Sequence, residues 1–324
     1  MSALLEIEDL RVTFRTRYGE VTALDSVSMH VNEGETLGVV GESGCGKSIT
    51  ALSVMGLIPS PPGKIAGGSI RLNGEELTTA SPARLRAMRG PDAAMIFQEP
   101  MTSLNPVFTV GDQIAEAIML HQKVDKAQAL KDAVALLDRV GIPSPEARAR
   151  DYPHQLSGGM RQRVMIAMAV SCRPKVLIAD EPTTALDVTV QAQIFDLLNE
   201  IQRDFGVAII LITHDMGAIS EMADRVAVMY AGRVIEDASA DDVLDYPQHP
   251  YARGLIDCIP ALGRDDHRLA EIPGVVPPLH LLGQGCAFAD RCAFKQDRCT
   301  REKPMLGSHG HHPVACHGIE EARL

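Results

Sequence analysis

The sequence predicts an α/β protein with a mostly parallel sheet, a helical insert, a small antiparallel β part and a short cysteine-rich C-terminal extension. Strand and helix patterns alternate over residues 176–230, which is typical of parallel strands joined by helices that cover the sheet. A glycine-rich loop stands between an apolar run, Thr36–Val40, and a helical pattern from Lys47. Helical periodicity fills the region from about residue 100 to 171.

The chain order places these elements in two predicted domains, residues 1–240 and 241–324. Apolar alternation predicts strands at residues 4–14 and 21–31 with a turn at Tyr18-Gly19, which gives the antiparallel part. Residues 110–120 and 127–140 are predicted helices of the insert, and Gly141 and Pro143 end the second one. The remaining predictions are strands at 176–179, 207–213, 226–230 and 233–236, and helices at 188–205 and 216–223.

Composition and charge exclude several classes of protein. The 324 residues include 31 basic and 42 acidic side chains, and a net charge of −11 with 4% aromatic residues argues against a nucleic-acid partner. No apolar run approaches the ~18 residues of a membrane helix. Glu6, Glu8 and Asp9 stand where a signal peptide would be basic and then apolar, so we expect a cytosolic chain. Seven cysteines in that compartment are not expected to form disulfides.

Residues 41–48, GESGCGKS, match the phosphate-binding pattern G-x-x-x-x-G-K-[ST] between a strand and a helix. Glycines let backbone N–H groups surround a polyphosphate, Lys47 can reach its outer phosphates, and the Ser48 hydroxyl can ligate Mg²⁺. The alternative is a plain glycine-rich turn. Cys45 is either a small residue that fills the loop or a redox-sensitive thiol.

Two carboxylates follow the apolar strand at 176–179, at the sheet edge where parallel strands bind ligands. Asp180 can hold Mg²⁺, and Glu181 can take a proton from a water that attacks a phosphate. The pair can alternatively cap a helix. Gln98 and His214 also follow predicted strands and can approach the same phosphate. The alternative for each is an ordinary loop residue whose polar groups are satisfied locally.

Residues 156–160, LSGGM, open a predicted helix that offers a second anion site. Ser157 caps the helix, and the glycines Gly158 and Gly159 expose backbone N–H groups. The alternative is a simple serine cap with a flexible entry.

In this order, the motifs resemble those of ABC-type ATPases: Walker A at 41–48, Q-loop at Gln98, signature at 156–159, Walker B at Asp180-Glu181, D-loop at 184–187 and H-loop at His214. The resemblance implies an ATPase in which Glu181, His214 and Gln98 are catalytic and Ser48, Gln98 and Asp180 hold Mg²⁺. It also implies that Ser157, Gly158 and Gly159, with the D-loop Asp187, meet the ATP of a second ATPase subunit. The residues implied to bind ATP are Tyr18, Gly41, Glu42, Ser43, Gly44, Cys45, Gly46, Lys47, Ser48 and Ile49.

By the same resemblance, Tyr18 stacks on adenine, with Phe14 as the second candidate and a simple hairpin role as the alternative. Met160 departs from the glutamine that most of the family has, and this methionine is familiar in the peptide-importer branch.

The rest of the chain resembles ATP-binding subunits of oligopeptide, dipeptide and nickel importers, the dipeptide branch most closely. The resemblance is carried by residues 101–106, MTSLNP, by 249–251, HPY, by 272–277, IPGVVP, and by the cysteine-rich tail. It implies a peripheral protein on the cytoplasmic face of the cell membrane. The implied partners are two integral membrane permease subunits, a second and paralogous ATPase, and an extracytoplasmic peptide-binding protein, with residues 99–105 facing the permease.

Alternatives stay open for the transported molecule and for the kind of ABC ATPase. The same motor serves nickel or opine importers, and a non-transport ABC ATPase acting on DNA or ribosomes is the more distant rival, disfavoured by the negative charge.

The cysteines Cys286, Cys292, Cys299 and Cys316 have the spacing C-x5-C-x6-C-x16-C, which lacks the C-x2-C pairs of zinc ribbons. Four thiolates without that spacing suit a [4Fe-4S] cluster, which members of the family are thought to carry. The alternatives are Zn²⁺ and cysteines that merely pack. Histidines that could join a zinc site are His309, His311, His312 and His317.

Overall fold

The computed structural model describes residues 3–99, 103–184, 186–258, 271–308 and 310–324. The chain forms two compact units, the first from Met1–Val31, Glu35–Thr78 and Leu211–Leu324 and the second from Asn32–Gly34 and Thr79–Ile210. The strands are β1 (Leu5–Thr16), β2 (Gly19–Val31), β3 (Thr36–Val40), β4 (Gly63–Leu72), β5 (Glu75–Glu76), β6 (Ala93–Ile96), β7 (Val176–Asp180), β8 (Ala208–Thr213), β9 (Arg225–Tyr230) and β10 (Arg233–Ser239). The helices are α1 (Lys47–Val54), α2 (Pro82–Met88), α3 (Val110–His121), α4 (Lys126–Arg139), α5 (Pro145–Arg148), α6 (Gly158–Val170), α7 (Val188–Phe205), α8 (Met216–Met222), α9 (Ala240–Asp245), α10 (Pro250–Asp257), α11 (Asp297–Arg301) and α12 (His317–Glu320).

The first unit contains a four-stranded antiparallel sheet with strand order β2-β1-β4-β5. Leu5 of β1 lies between Val31 of β2 and Leu72 of β4, so the central strand is paired on both edges. Its apolar residues Leu5, Ile7 and Leu10 are buried, which explains the sequence signal for β1. The predicted strands at 4–14 and 21–31 are therefore present, whereas β4 and β5 were not predicted.

A second group of strands in the first unit carries the glycine-rich loop. β3 runs parallel to β9, β9 pairs antiparallel with β10, and every residue of β3 is buried. Ala231 and Gly232 both have positive φ, +47° and +80°, as a tight two-residue hairpin requires. α1 follows the loop, as the sequence predicts, and α8, α9 and α10 complete this part of the unit.

The second unit contains the helical insert and a parallel pair of strands, β6 and β7. α3 contacts α4 and α6. Thr109 and Asp125 cap α3 and α4 by accepting the N–H groups of Asp112 and Gln128. The predicted helices at 110–120 and 127–140 are thus confirmed to within two residues. α7 begins and ends at the predicted residues 188 and 205.

Residues 271–324 contain only short helices and isolated bridges within their described part. Val314 bridges Glu236 of β10, and it is buried with Phe288, Ala315 and Ile319. Among the described residues, none of the helices has both the length and the apolar character that a membrane span requires.

Candidate functional site

The glycine-rich loop joins β3 to α1, and its glycines are dictated by space and backbone angle. Gly41 has φ +149°, and a Cβ there would collide with the carbonyl oxygen of Met229. Gly46 has φ +107°, and a Cβ there would lie 2.6 Å from Leu24 Cδ2. Because side chains are excluded at both positions, the backbone can curve closely, as a phosphate-binding loop requires.

Lys47, the first residue of α1, is buried and lies across the loop. Its Nζ donates to the carbonyl oxygens of Gly41 at 2.7 Å and Glu42 at 3.2 Å. Ser48 and Ile49 follow in the first turn, half-buried. The N-cap residue Gly46 has no side chain, so the first N–H groups of α1 are not capped by one and suit an anion.

Cys45 is fully buried in the loop, while Ser43 and Gly44 are exposed. Burial raises the pKa of the Cys45 thiol above its usual range. A buried, protonated thiol reacts slowly with oxidants, so the geometry favours the packing role of Cys45 over the redox alternative.

The second unit brings Gln98 and Glu181 together. β6 and β7 are parallel, with Ile96 opposite Ala179, so the residues that follow them lie at the same edge. Gln98 Nε2 donates to Glu181 Oε2 at 2.8 Å, and Thr184 Oγ1 donates to the same oxygen at 2.9 Å. Gln98 and Glu181 are therefore in direct contact at this sheet edge, and the approach of Gln98 to a phosphate stays a prediction.

Glu181 also has an unusual backbone. Its φ of +47° lies in the left-handed region, which costs a residue with a Cβ about 1 to 3 kcal/mol. Such strain is found mostly at functional sites, where the surroundings enforce it. Asp180, at the end of β7, is buried, with only 4% of the residue exposed.

His214 follows β8 directly and is exposed. The next residue, Asp215, caps α8 by accepting the N–H groups of Gly217 at 2.8 Å and Ala218 at 3.4 Å.

The signature residues stand at the exposed N-terminus of α6. Ser157 Oγ accepts the Met160 N–H at 3.3 Å, which is the predicted cap. Gly158 is exposed, and a Cβ on Gly159 would lie 3.0 Å from Val190 of α7. Asp187 caps α7 by accepting the Val190 N–H at 3.0 Å. Of the D-loop, Ala185 lies outside the described residues.

Tyr18 lies in the turn between β1 and β2 and is 59% exposed. Its ring stacks on His280, with centroids 4.4 Å apart and an interplanar angle of 4°. The Arg17 guanidinium lies 4.7 Å from the same centroid. The ring is therefore accessible and disposed to stack, but an adenine on the His280 face would displace that imidazole.

The four C-terminal cysteines line one cavity of about 20 Å³, with Phe288 and His317 among its other walls. Burial raises the pKa of Cys286 to about 11 and also raises the pKa of Cys292. Within the described part of the chain, no three His, Cys, Asp or Glu side chains are placed to hold a metal ion. The donor set fits a thiolate-bound group, whereas the ligand geometry is not assembled.

Two of the histidines of the zinc alternative have other side-chain contacts. His312 Nε2 lies 2.6 Å from Glu236 Oε1 in a buried pair. His317 Nε2 lies 3.0 Å from the Glu302 carbonyl oxygen, and its Nδ1 lies 3.2 Å from Glu320. His309 lies outside the described residues.

Comparisons with known proteins identify the family. The family described as "ABC transporter" matches residues 24–184, and that described as "Oligopeptide/dipeptide transporter, C-terminal region" matches residues 235–299. The "Oligopeptide transport ATP-binding protein AppD" of Bacillus subtilis is 50% identical over 309 residues, 95% of this chain and 94% of that protein. The "Oligopeptide transport ATP-binding protein OppD" of Salmonella typhimurium is 51% identical over 304 residues, 94% of this chain and 90% of that protein.

The solved structure of the ATP-binding cassette MJ0796 bound to ADP and Pi has a TM-score of 0.66 and 24% identity, covering 73% of this chain and 98% of that one. It supports the fold. The chain belongs to the ABC transporter ATP-binding proteins. Within them it belongs with the oligopeptide and dipeptide transport ATP-binding proteins, which confirms the resemblance stated above.

Proposed function

We propose that this chain is the ATP-hydrolysing subunit of an ABC importer that moves dipeptides or oligopeptides across the cytoplasmic membrane. The observation that carries the proposal is the buried Lys47 in a glycine-rich loop at the start of α1. Relatives named as peptide transport ATP-binding proteins, about half identical over nearly the whole chain, support the cargo class.

In this proposal, residues 41–49 bind the phosphates of ATP, and Lys47 transfers its hydrogen bonds from the loop carbonyls to phosphate oxygens. Ser48, Asp180 and Gln98 supply the hydroxyl and carboxamide or carboxylate oxygens that Mg²⁺ prefers. Bound Mg²⁺ would neutralise charge that develops on the phosphates. Because Gln98 donates its amide N–H to Glu181, its carbonyl oxygen points away from that carboxylate.

Glu181 is the proposed general base. The donors Gln98 and Thr184 orient its carboxylate, which takes a proton from water as the water attacks the terminal phosphate; ADP and phosphate leave. His214 is proposed to contact the same phosphate. Tyr18 is proposed to stack on adenine.

A second ATPase subunit, paralogous to this one, completes the motor in this proposal. The exposed Ser157 and Gly158 and the half-buried Gly159 would meet ATP held on its phosphate loop, with Asp187 nearby in the contact. Two permease subunits and an extracytoplasmic peptide-binding protein are the other partners, which places the chain at the cytoplasmic face of the membrane. Of the segment proposed to face the permease, residues 100–102 lie outside the described part.

Purification of the tagged chain from membranes tests the assembly. We expect integral membrane proteins and a second ATPase to co-purify and ATP to be hydrolysed. Co-purified nucleic acid without membrane proteins would favour the non-transport alternative. Peptide uptake by cells that carry a hydrolysis-deficient variant separates a nickel or opine importer with the same motor, because uptake would then be normal.

We also propose a [4Fe-4S] cluster on Cys286, Cys292, Cys299 and Cys316, supported by their common cavity and thiolate chemistry. Anaerobic purification should give a brown protein with about four irons per chain, and a Cys299→Ser variant should lose iron. One zinc and no iron would support the zinc alternative, and no metal would support simple packing.

A further inference from the structure

A contact between the C-terminal segment and the phosphate-binding loop has no place in the function described so far. Arg291 Nη1 lies 2.6 Å from Glu42 Oε2, and Arg291 Nη2 lies 3.1 Å from Glu42 Oε1. The Arg291 side chain is only 5% exposed. Glu42 is half-buried, and a bidentate pair between a buried arginine and such a carboxylate fixes both partners in one geometry, unlike an exposed ion pair.

Each N–H group of the Arg291 guanidinium has an acceptor. Besides the two bonds to Glu42, Nε donates to the Pro273 carbonyl at 2.7 Å and Nη2 donates to the Ile272 carbonyl at 3.2 Å. Nη1 donates to the Tyr230 hydroxyl at 3.4 Å. Because a guanidinium has five N–H donors, these five contacts use all of them. The position of the charge is therefore determined by the surrounding chain.

Glu42 is held a second time, through its backbone. Its N–H donates to Tyr251 Oη at 2.8 Å. Tyr251 is fully buried and packs edge-on against Tyr230, at 4.7 Å between centroids, and Phe288, at 5.5 Å. The side chain of Glu42 is thus fixed by Arg291 and its backbone by Tyr251, both from the C-terminal third of the chain.

The residue held in this way belongs to the loop that positions Lys47. The Lys47 ammonium donates to the carbonyls of Gly41 and of Glu42 itself. Arg291 ends a short 3-10 turn, Ala289–Arg291, which lies between Cys286 and Cys292. The packing of the cysteine-lined cavity and the position of this guanidinium are therefore linked.

We propose that Arg291 is a positioning residue for ATP binding: by holding Glu42, it fixes the start of the phosphate-binding loop and the place of the Lys47 ammonium. The C-terminal segment thereby completes the nucleotide site. This inference rests on the proposed function, namely that residues 41–49 bind ATP.

Calorimetric titration of the full-length chain with Mg·ATP tests the role of Arg291. Arg291→Met removes the charge and all five donors while keeping an unbranched apolar side chain. We expect its Kd to rise at least about fivefold, the lower end of usual coupling between sites, with unchanged stoichiometry. Arg298→Met is the matched control, because Arg298 pairs only with Glu302, Glu320 and Glu321 of its own segment among its described ion pairs. Its Kd should equal that of the wild type.

A double-mutant cycle separates positioning from general damage. If Arg291 acts through Glu42, then Arg291→Met should add no further loss of affinity in a Glu42→Gln background. Arg291→Lys keeps the charge but loses the fork, so it should give an intermediate Kd. It also replaces Arg291→Met if circular dichroism shows that the latter does not fold.

Three results decide the inference. A Kd for the Arg291 variant within twofold of the wild type overturns it, and so does a loss that adds fully to that of Glu42→Gln or that also occurs in Arg298→Met. Lys47→Ala is measured beside them. If Lys47→Ala still binds Mg·ATP with wild-type affinity, the proposed ATP site itself is wrong. This result differs from one in which Lys47→Ala loses affinity and Arg291→Met does not, which would contradict only the role of Arg291.

Discussion

At the residue scale, Glu181 combines a left-handed backbone with two donors on one carboxylate oxygen, from Gln98 and Thr184. A carboxylate that caps a helix accepts backbone N–H groups, whereas this one accepts side-chain donors. The contacts therefore do not favour the helix-cap alternative for Asp180 and Glu181. The described caps of α6 and α7 are instead Ser157 and Asp187.

Glu181→Gln should preserve ATP binding and slow hydrolysis at least ~100-fold, because general-base help contributes about 10² to 10⁴ in rate. Single-turnover hydrolysis and nucleotide titration measure the two effects separately. Glu200→Gln, an exposed glutamate on α7, is the matched control and should hydrolyse ATP normally. Wild-type turnover in Glu181→Gln would remove this residue from the base role.

Tyr18→Ala should weaken ATP binding about 5- to 150-fold, since stacking of a base on an aromatic ring contributes about 1 to 3 kcal/mol. His280→Ala should cause no loss, because it removes only the ring that competes for one face of Tyr18. Fluorescent-nucleotide titration compares both variants with Phe14→Ala. A loss with Phe14→Ala and none with Tyr18→Ala would reassign the adenine contact.

Much of the residue-level site follows from local sequence, and the exceptions are long-range contacts. The caps at Ser157 and Asp187 and the glycines of residues 41–46 are specified by neighbours within a few positions. The pair formed by Arg291 and Glu42 joins residues 249 positions apart, so no local pattern could predict it. The HPY motif gave a partial signal, because a buried Tyr251 needs a partner for its hydroxyl.

At the element scale, α10 shows how a buried histidine makes one helix sensitive to acid. His249 caps α10, and its Nδ1 accepts the Tyr251 N–H at 3.0 Å. Burial, with a smaller effect from the charge of Arg253, lowers the pKa of His249 from 6.5 to about 3. The folded protein therefore keeps this ring neutral, as the cap requires.

The pH dependence follows from this difference in pKa. Between pH 6.5 and 3 the unfolded chain binds a proton at His249 that the folded chain does not, so the free energy of unfolding falls as the pH falls through this range. His249→Asn keeps a cap acceptor and removes the titrating group. Its free energy of unfolding, measured with urea, should therefore fall less than that of the wild type between pH 7 and pH 4. His154→Asn, at an exposed position, is the control. Equal slopes for His249→Asn and the wild type would contradict this explanation.

Elements whose apolar residues recur with a clear helical or strand period were predictable, and elements with few buried residues were not. α7 has its buried residues on one face, Ile194, Leu197, Leu198 and Ile201 among them, and its predicted bounds are correct. β4 contains three glycines and alternates poorly, because most of its residues are only half-buried or exposed. It is ordered by pairing with β1, from Phe14 opposite Gly63 to Leu5 opposite Leu72, a distant partner that its own sequence does not indicate.

At the scale of the whole molecule, the family defines the ATP-binding subunit of a transporter but not the molecule that is transported. The chain carries a phosphate-binding loop, a signature helix and a C-terminal region matched to oligopeptide and dipeptide transporters. In the proposed assembly the motor does not contact the transported molecule, so no residue of this chain could have specified dipeptides over nickel. Cargo must be measured on the assembled transporter.

Uptake of labelled dipeptides and oligopeptides, with labelled nickel in parallel, by cells that carry Glu181→Gln in place of the wild-type chain tests the central claim most directly. The proposed function predicts that peptide uptake is lost in these cells and that nickel uptake is unchanged, whereas cells that carry Glu200→Gln take up both as the wild type does. Normal uptake of both peptide classes in cells with Glu181→Gln, or a loss confined to nickel, would contradict it.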